Sequence, residues 1–596
     1  MGAGGQAPGV PLPPPLDPEG VAGQVRVALG REPADLVIRG ARLVNVFSEQ
    51  VEPPGCLAVA RGRVVSLGPE LEGWLGPRTR VVEAEGLYLL PGLIDAHTHL
   101  DSMFLLRHYA AWALAQGNTT AISELAMMAG AWGMEGVQAF MDEARHQPMR
   151  VFFLAPPLVP PFPDLESSAG LAGRDFQEIL QRPDCLGVGE TYWTAAIDGD
   201  PRVARNLAQA LALAKTREGH AAGARGERLM AYAAAGITSC HESTTAEEAL
   251  ERLRLGLAVQ VRQGFVRKEM DQVVPALAHL PDTRGVMLVT DLAAPRELVE
   301  TGAMNPLLSK AVELGVAPAR AVAWCSLNPA RYFNLPHLGA LAPGYLADLV
   351  LVEDLVRFRA HSVFLAGRQV AHQGRLTLDV PDYQYPPQLY RTMLNPPLEP
   401  EHLRIAAPGP RARVRVCALA GDTITKEEQV ELPVRGGSLA ADPERDLLKL
   451  AHLDRRSQEL RLTLGFTSGW GLKQGAFATT LMWDSNNLVV LGATDQDMVL
   501  AANQVRELGG GMAVAAGGRI LAQWALPIAG IISPQPMPRI IADMEAVERA
   551  LRQLGCRPGR PLLTAQTLCF TGLPFLRLTD KGLVDVRRRR LVEVLV

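Results

Sequence analysis

From Leu89 to Phe333 the chain repeats one pattern: a short apolar run, then an amphipathic stretch. The runs are Leu93–His97, Thr119–Ser123, Arg150–Ala155, Cys185–Glu190, Glu218–His220, Gly236–His241, Leu257–Val261 and Gly285–Asp291. Between or after them lie helical segments such as Ala246–Leu255 and Pro295–Thr301. Eight strand-then-helix units in about 245 residues match the size of a (β/α)8 barrel. This repetition predicts an α/β fold with a barrel over 89–335.

The flanks have a different texture. Over Asp35–Gly86, valine and leucine alternate with polar residues and glycine marks the corners, which predicts a small antiparallel sheet. The same style returns at Ala347–Val352 and Ser362–Val370, so 25–88 and 336–385 are expected to form one composite β domain built from both flanks. The proline-rich stretch over 386–410 reads as a linker. Residues 411–596 then alternate strand-like runs (NNLVVLGA, GGMAVAAGGRILAQW) with helices (DMVLAANQVREL, and Arg539–Leu554), which predicts a separate C-terminal α/β domain. Residues 1–24, rich in Gly and Pro, read as a disordered tail. They show neither a basic n-region nor an apolar h-region, as a signal peptide would. The longest apolar region, Met512–Ile532, is broken by Arg519 and Gln523, so no membrane partner is expected and the cytoplasm is the expected compartment.

Composition narrows the chemistry. The chain has 596 residues, 48% hydrophobic and 20% charged, with a net charge of −4. That balance does not favour a nucleic-acid partner, and the basic run Arg587–Arg590 reads as a solvated or salt-bridged edge. Seven scattered cysteines without a CxxC pair exclude a disulfide scaffold, a zinc ribbon and a cysteine-ligated nucleobase deaminase.

Histidine is scarce, at 12 residues, and four fall where the pattern matters. His97 and His99 sit one residue apart in PGLIDAHTHLD. On extended chain alternate side chains share a face, so both imidazoles can meet one site at the barrel mouth. Glu190, His220, His241 and Asp291 each close a later strand. Six metal-competent groups on five strand ends point to a two-metal site. His97 and His99 would hold one ion and His220 and His241 the other. Glu190 would bridge them, and Asp291 would ligate a metal and carry a proton. Two cations lower the pKa of a bridging water enough for a hydroxide to attack an electrophilic carbon near neutral pH. Glu242, beside His241, either contacts the substrate or orients a histidine.

These residues resemble the amidohydrolase superfamily, as does Leu327–Val352 after the last barrel strand. More narrowly the chain resembles bacterial adenine deaminases. That likeness is carried by Gly219–Gly264, Leu491–Val514, Leu526–Ser533 and Leu578–Val586, and it spans about 25 to 590. It implies hydrolysis of adenine to hypoxanthine and ammonia, in purine salvage, with Mn2+ (or Fe2+/Zn2+) as cofactor, two ions per chain. It also implies a purine base as small-molecule partner, and a homo-oligomer, a dimer, is expected. Asp101 and Ser102, which stand where the family pattern has Glu-Ser, are expected at the substrate. Two motifs depart from the pattern. Asp-Pro-His-Glu after the second strand reads Glu124-Leu125-Ala126-Met127. His-Asp-Ser-His-Asn in the C-terminal domain reads Trp483-Asp484-Ser485-Asn486-Asn487. Glu124 is expected to cover part of the lost role. The alternatives to adenine are another aminopurine or a cyclic amide, or a metal-binding paralogue without turnover.

Overall fold

The structure, a computed structural model, describes residues 16–596. Eight short parallel strands form its centre. β1 (Leu93–Thr98), β2 (Asn118–Ser123), β3 (Arg150–Ala155), β4 (Cys185–Tyr192) and β5 (Thr216–His220) pair in sequence order. β6 (Ser239–Cys240), β7 (Ala258–Arg262) and β8 (Val286–Val289) form a second parallel set. Two seams join the sets into a TIM-barrel-like ring. At one, the backbone N–H of Thr238 donates to Arg217 O at 2.9 Å. At the other, the N–H of Asp291 donates to His97 O at 3.0 Å and that of Thr290 to the Asp95 carboxylate at 3.1 Å. β6 is shorter than the expected Gly236–His241. Thr238 meets β5 partly through its hydroxyl, which accepts from Arg217 N at 3.0 Å, so no continuous ladder forms there.

The flanking segments share one sheet. Leu349–Val352 lies antiparallel to Tyr88–Pro91, which joins residues from both sides of the barrel. The expectation of a purely antiparallel arrangement over Asp35–Gly86 is corrected. Leu36–Asn45 pairs antiparallel with Gln50–Ala60 but parallel with Arg80–Glu83 and with Tyr88–Pro91. A parallel pair needs a crossover; here the connection passes through a turn in which Trp74 is fully buried and its indole N–H donates to Val27 O at 2.8 Å.

The disordered tail expected over 1–24 is also corrected in part. Residues 1–15 lie outside the described residues, but Pro18–Ala28 is a helix. The Asp17 carboxylate accepts from Gly20 N at 2.7 Å and Pro18 occupies the first turn, a favourable start for a helix. The 386–410 stretch is packed rather than loose, with Leu389, Leu398 and Leu403 buried.

Residues 411–525 supply an eight-stranded sheet, antiparallel except where Arg411–Leu419 runs parallel to Leu462–Ser468. Helices Asp495–Glu507 and Met537–Gln553 accompany it. Met512–Ile532 resolves into the strands Gly511–Ala516 and Arg519–Ala525, and no helix among the described residues is long and apolar enough to cross a membrane. In the basic run, Arg588 pairs with Asp585, Arg589 with Asp198, and Arg587 lies over the Phe575 ring.

This C-terminal unit closes over the barrel mouth. Ile532–Ser533 pairs with Met103–Phe104, just beyond His99. The fully buried Arg455 donates to the carbonyls of Asn486, Thr392 and Ala529. Asn486 in turn donates to Met127 O at 3.0 Å. The approach is so close at Gly130 that a Cβ there would lie 1.9 Å from Asp484 O. Gly130→Ala should therefore lift the 483–487 loop from the barrel and destabilise the protein by about 1–3 kcal/mol. Chemical denaturation measures this, and an unchanged midpoint would contradict the tight contact.

Candidate metal centre and active site

The six strand-end residues converge. His97, His99, Glu190 and Asp291 form one group with ligand atoms within 4.8 Å of one another, and Glu190, His220 and His241 form a second. Glu190 is the shared member. Its Oε1 lies 3.2 Å from His97 Nε2, 3.3 Å from His99 Nε2 and 3.2 Å from His241 Nε2, and its Oε2 lies 2.9 Å from His220 Nδ1. Asp291 Oδ1 lies 3.4 Å from both His97 Nε2 and His99 Nε2. Strand ends are what bring these groups together: each side chain leaves the end of a strand or the one or two residues after it, and the ring of strands aims them at one point. Asp291 has φ of +59°, a left-handed conformation that aspartate tolerates better than most residues.

The electrostatics are those of a cation site. Burial opposes the charge of Glu190, yet His220 and His241 hold its carboxyl well below the usual range. Burial likewise opposes that of Asp291, and His97, His99 and Arg262 outweigh it. Both are anions. Burial also opposes protonation of the histidines. At His97 the nearby carboxylates of Asp291 and Glu190 overcome it and raise the pKa to about 10; at His220 the carboxylates of Glu242 and Glu190 raise it to about 9. His241 stacks on His97 with ring centroids 4.3 Å apart. Burial and that neighbouring cation push it down to about 4. Nε2 atoms of His97, His220 and His241 are buried without a hydrogen-bond partner of good geometry. Buried anions beside unpartnered imidazole nitrogens fit divalent cations, which take these ligands once the imidazoles are neutral.

The other expected residues divide. Glu242 and Ser102 line the cavity at the barrel mouth. Asp101 does not, which corrects the substrate role expected for it. It is fully buried, and its Oδ2 accepts from the backbone N–H of Met128 at 2.8 Å, at the start of the helix after β2. Glu124 does not take over a cavity role either. It is fully buried beneath His97, with Oε1 3.8 Å from His97 Nδ1, and it accepts from Glu190 N at 3.0 Å. Burial pushes its carboxyl up to about 8. This places it as an orienting group behind the ligands. Met127 and Trp483, which stand in the two divergent motifs, both line the cavity.

Three groups of this site were not singled out in the sequence. Arg262, at the end of β7, is 3% exposed. It grips Glu269 with two bonds of 2.8 and 2.9 Å, donates to Glu242, and reaches Asp291 Oδ2 at 3.2 Å. Burial works against the Glu242 charge, but Arg262 lowers its pKa to about 2. Tyr192 closes β4, donates to Asp484 Oδ2 at 2.6 Å, and lies against His220 with ring centroids 4.7 Å apart. Gln566, from the C-terminal domain, completes the wall. A strand-end position would have flagged Arg262 and Tyr192; nothing in the local sequence marks Gln566.

Residues 88–370 match the amidohydrolase family and residues 422–590 the adenine deaminase C-terminal domain. An adenine deaminase of Moorella thermoacetica is 38% identical over 581 residues, covering 96% of this chain and 97% of that protein. One from Kosmotoga olearia is 33% identical over 575 residues, covering 96% and 98%. Among solved structures, β-aspartyl dipeptidase from Fervidobacterium islandicum AW-1 covers 58% of this chain and 98% of its own, with 17% identity and a TM-score of 0.45.

Two outcomes follow from the charges. Adding Mn2+ to metal-stripped protein should release protons, because the cations replace those on the imidazoles. The release should shrink as pH rises through about 9 and about 10, where His220 and His97 have already lost theirs. Titration in weak buffer with parallel metal analysis reads both quantities, and metal uptake without proton release would refute the charge assignment. Separately, Arg262→Met should destabilise the fold by about 3–5 kcal/mol, because it strands buried carboxylates. A denaturation midpoint like that of the parent would show that Arg262 is not their counter-charge.

Proposed function

Because the chain belongs to the adenine deaminase family and carries an amidohydrolase-family barrel, we propose that it hydrolyses adenine to hypoxanthine and ammonia at the barrel mouth. The observation that carries the reading is the convergence of six ligand-type side chains on a cavity that the C-terminal domain roofs.

Two divalent cations, Mn2+ or Fe2+/Zn2+, would be held by His97, His99 and Asp291 and by His220 and His241, with Glu190 between; bound there, they supply the Lewis acidity that makes water nucleophilic near neutral pH. The remaining work falls to the chain's own groups. Deamination at C6 moves protons to a ring nitrogen and to the departing amine. Asp291 is an anion held by Arg262 and by its own backbone conformation, so it is placed to take and return a proton. Glu242, also an anion on Arg262, lies 3.5 Å from His241 and 3.9 Å from His220 and lines the cavity. As an acceptor only, it suits an N–H of the base. Tyr192, Phe570 and Trp483 provide flat apolar surface for a planar ring. Together these residues bind the base, orient it and exclude water from one face.

A second reading, another aminopurine, draws on Met127 and Trp483. Both put apolar surface on the cavity where the family pattern has polar residues. Ammonia release from adenine by Mn2+-loaded protein decides. Turnover is expected, and Asp291→Asn should lower kcat by about 10²–10⁴. No ammonia at high enzyme concentration, with about two ions bound per chain, would sink the adenine reading, and a panel of aminopurines would then test the second.

A further inference from the structure

We propose that Gln566 is a specificity residue, its side-chain N–H donating to a ring nitrogen of the bound purine. This rests on the purine reading above and adds the residue that recognises the ring edge.

Gln566 belongs to the helix Pro561–Thr567 of the C-terminal domain and is 3% exposed. It lines the cavity that the metal-competent residues share. Trp483 holds it twice: the indole N–H donates to Gln566 Oε1 at 3.1 Å, and the backbone N–H donates to Gln566 O at 3.3 Å. An indole N–H is a donor only, so it must face the amide oxygen. The orientation of the amide is thereby settled, and its NH2 group is the free end. That Nε2 is buried and has no hydrogen-bond partner in the protein. A buried donor left without an acceptor is unfavourable, and a ligand in the cavity that offers an acceptor relieves it.

The surroundings limit what that ligand is. Trp483 packs edge-on against Phe570 with ring centroids 5.4 Å apart, and Phe570 against Tyr192 at 5.7 Å. A flat aromatic base fits beside such rings, and the acceptors on the edge of an adenine ring are its nitrogens. The indole at position 483, a donor only, is what fixes the amide in this chain.

The test is a cycle between residue and ring atom. Metal-loaded wild type, Gln566→Leu and Gln566→Glu are compared on adenine and on 1-, 3- and 7-deazaadenine. KM and kcat are measured where there is turnover, and affinity is measured by calorimetry throughout. Glu at 566 keeps an oxygen for the Trp483 indole but removes the donor, so it separates recognition from support of the tryptophan. Both variants should weaken adenine binding about tenfold, the size of one hydrogen bond, with a smaller change in kcat and unchanged metal content. In wild type one deaza analogue should be weakened by a similar factor, and in the variants that same analogue should show no further loss relative to adenine. Equal binding of adenine by wild type and both variants would overturn the proposal, as would weakening that is additive with every analogue. Binding of adenine without turnover would refute deamination yet leave the cycle readable; no binding of adenine by wild type would overturn both.

Discussion

A single carboxylate, its side chain 11% exposed, organises this molecule. Glu190 lies within 2.9–3.3 Å of four imidazoles drawn from β1, β5 and β6 or the residues just after them. A buried anion is stable only when countered, so the strand ends that carry those histidines must stay in register with β4. Asp291 closes the set from β8, across the seam where its N–H reaches His97 O. The barrel and the candidate metal centre therefore depend on the same contacts. Glu124 and Arg262 extend that balance outward. The first takes the Glu190 N–H from below, and the second neutralises Glu242, Glu269 and Asp291 together.

The C-terminal domain is part of the site. A barrel mouth alone is open to water, whereas electrostatic groups act most strongly where water is excluded. Here the roof is fastened by the strand pairing of Met103–Phe104 with Ile532–Ser533, by Arg455, which donates to Ala131 O at 3.4 Å, and by the bond from Tyr192 to Asp484. Gly130 lets the Asp484 backbone come close. The same loop presents Trp483 to the cavity. Two of the residues that depart from the family pattern, Met127 and Trp483, thus lie on the wall of the site, and the metal-competent groups are untouched.

Much of the barrel was legible in the sequence because its strands are local. All eight apolar runs correspond to strands of the structure, and those closed by His, Glu or Asp also announce the side chain they deliver. What stayed hidden depends on long-range contact. Asp101 sits two residues from His99 yet turns inward to Met128, since the chain bends after Thr98. Arg262 lies one residue past the run Leu257–Val261, and its role comes only from Glu269, Glu242 and Asp291 packed around it. The parallel pairing of Leu36–Asn45 with Arg80–Glu83 follows from a crossover that alternation of valine and polar residues does not encode.

From the sequence by itself came the eight-unit periodicity, the six metal-competent residues and the two substituted motifs, because these are matters of residue type and spacing along one strand or turn. Only the tertiary structure decided that the motifs meet, with Met127 and Trp483 facing one cavity and Asn486 bonded to Met127 O. It also decided that Gln566 has a free donor there. The reason is physical. A side chain's partners at separations of hundreds of residues are set by how sheets and domains pack, and a hydrogen bond made or left unmade across that distance has no signature in the local sequence.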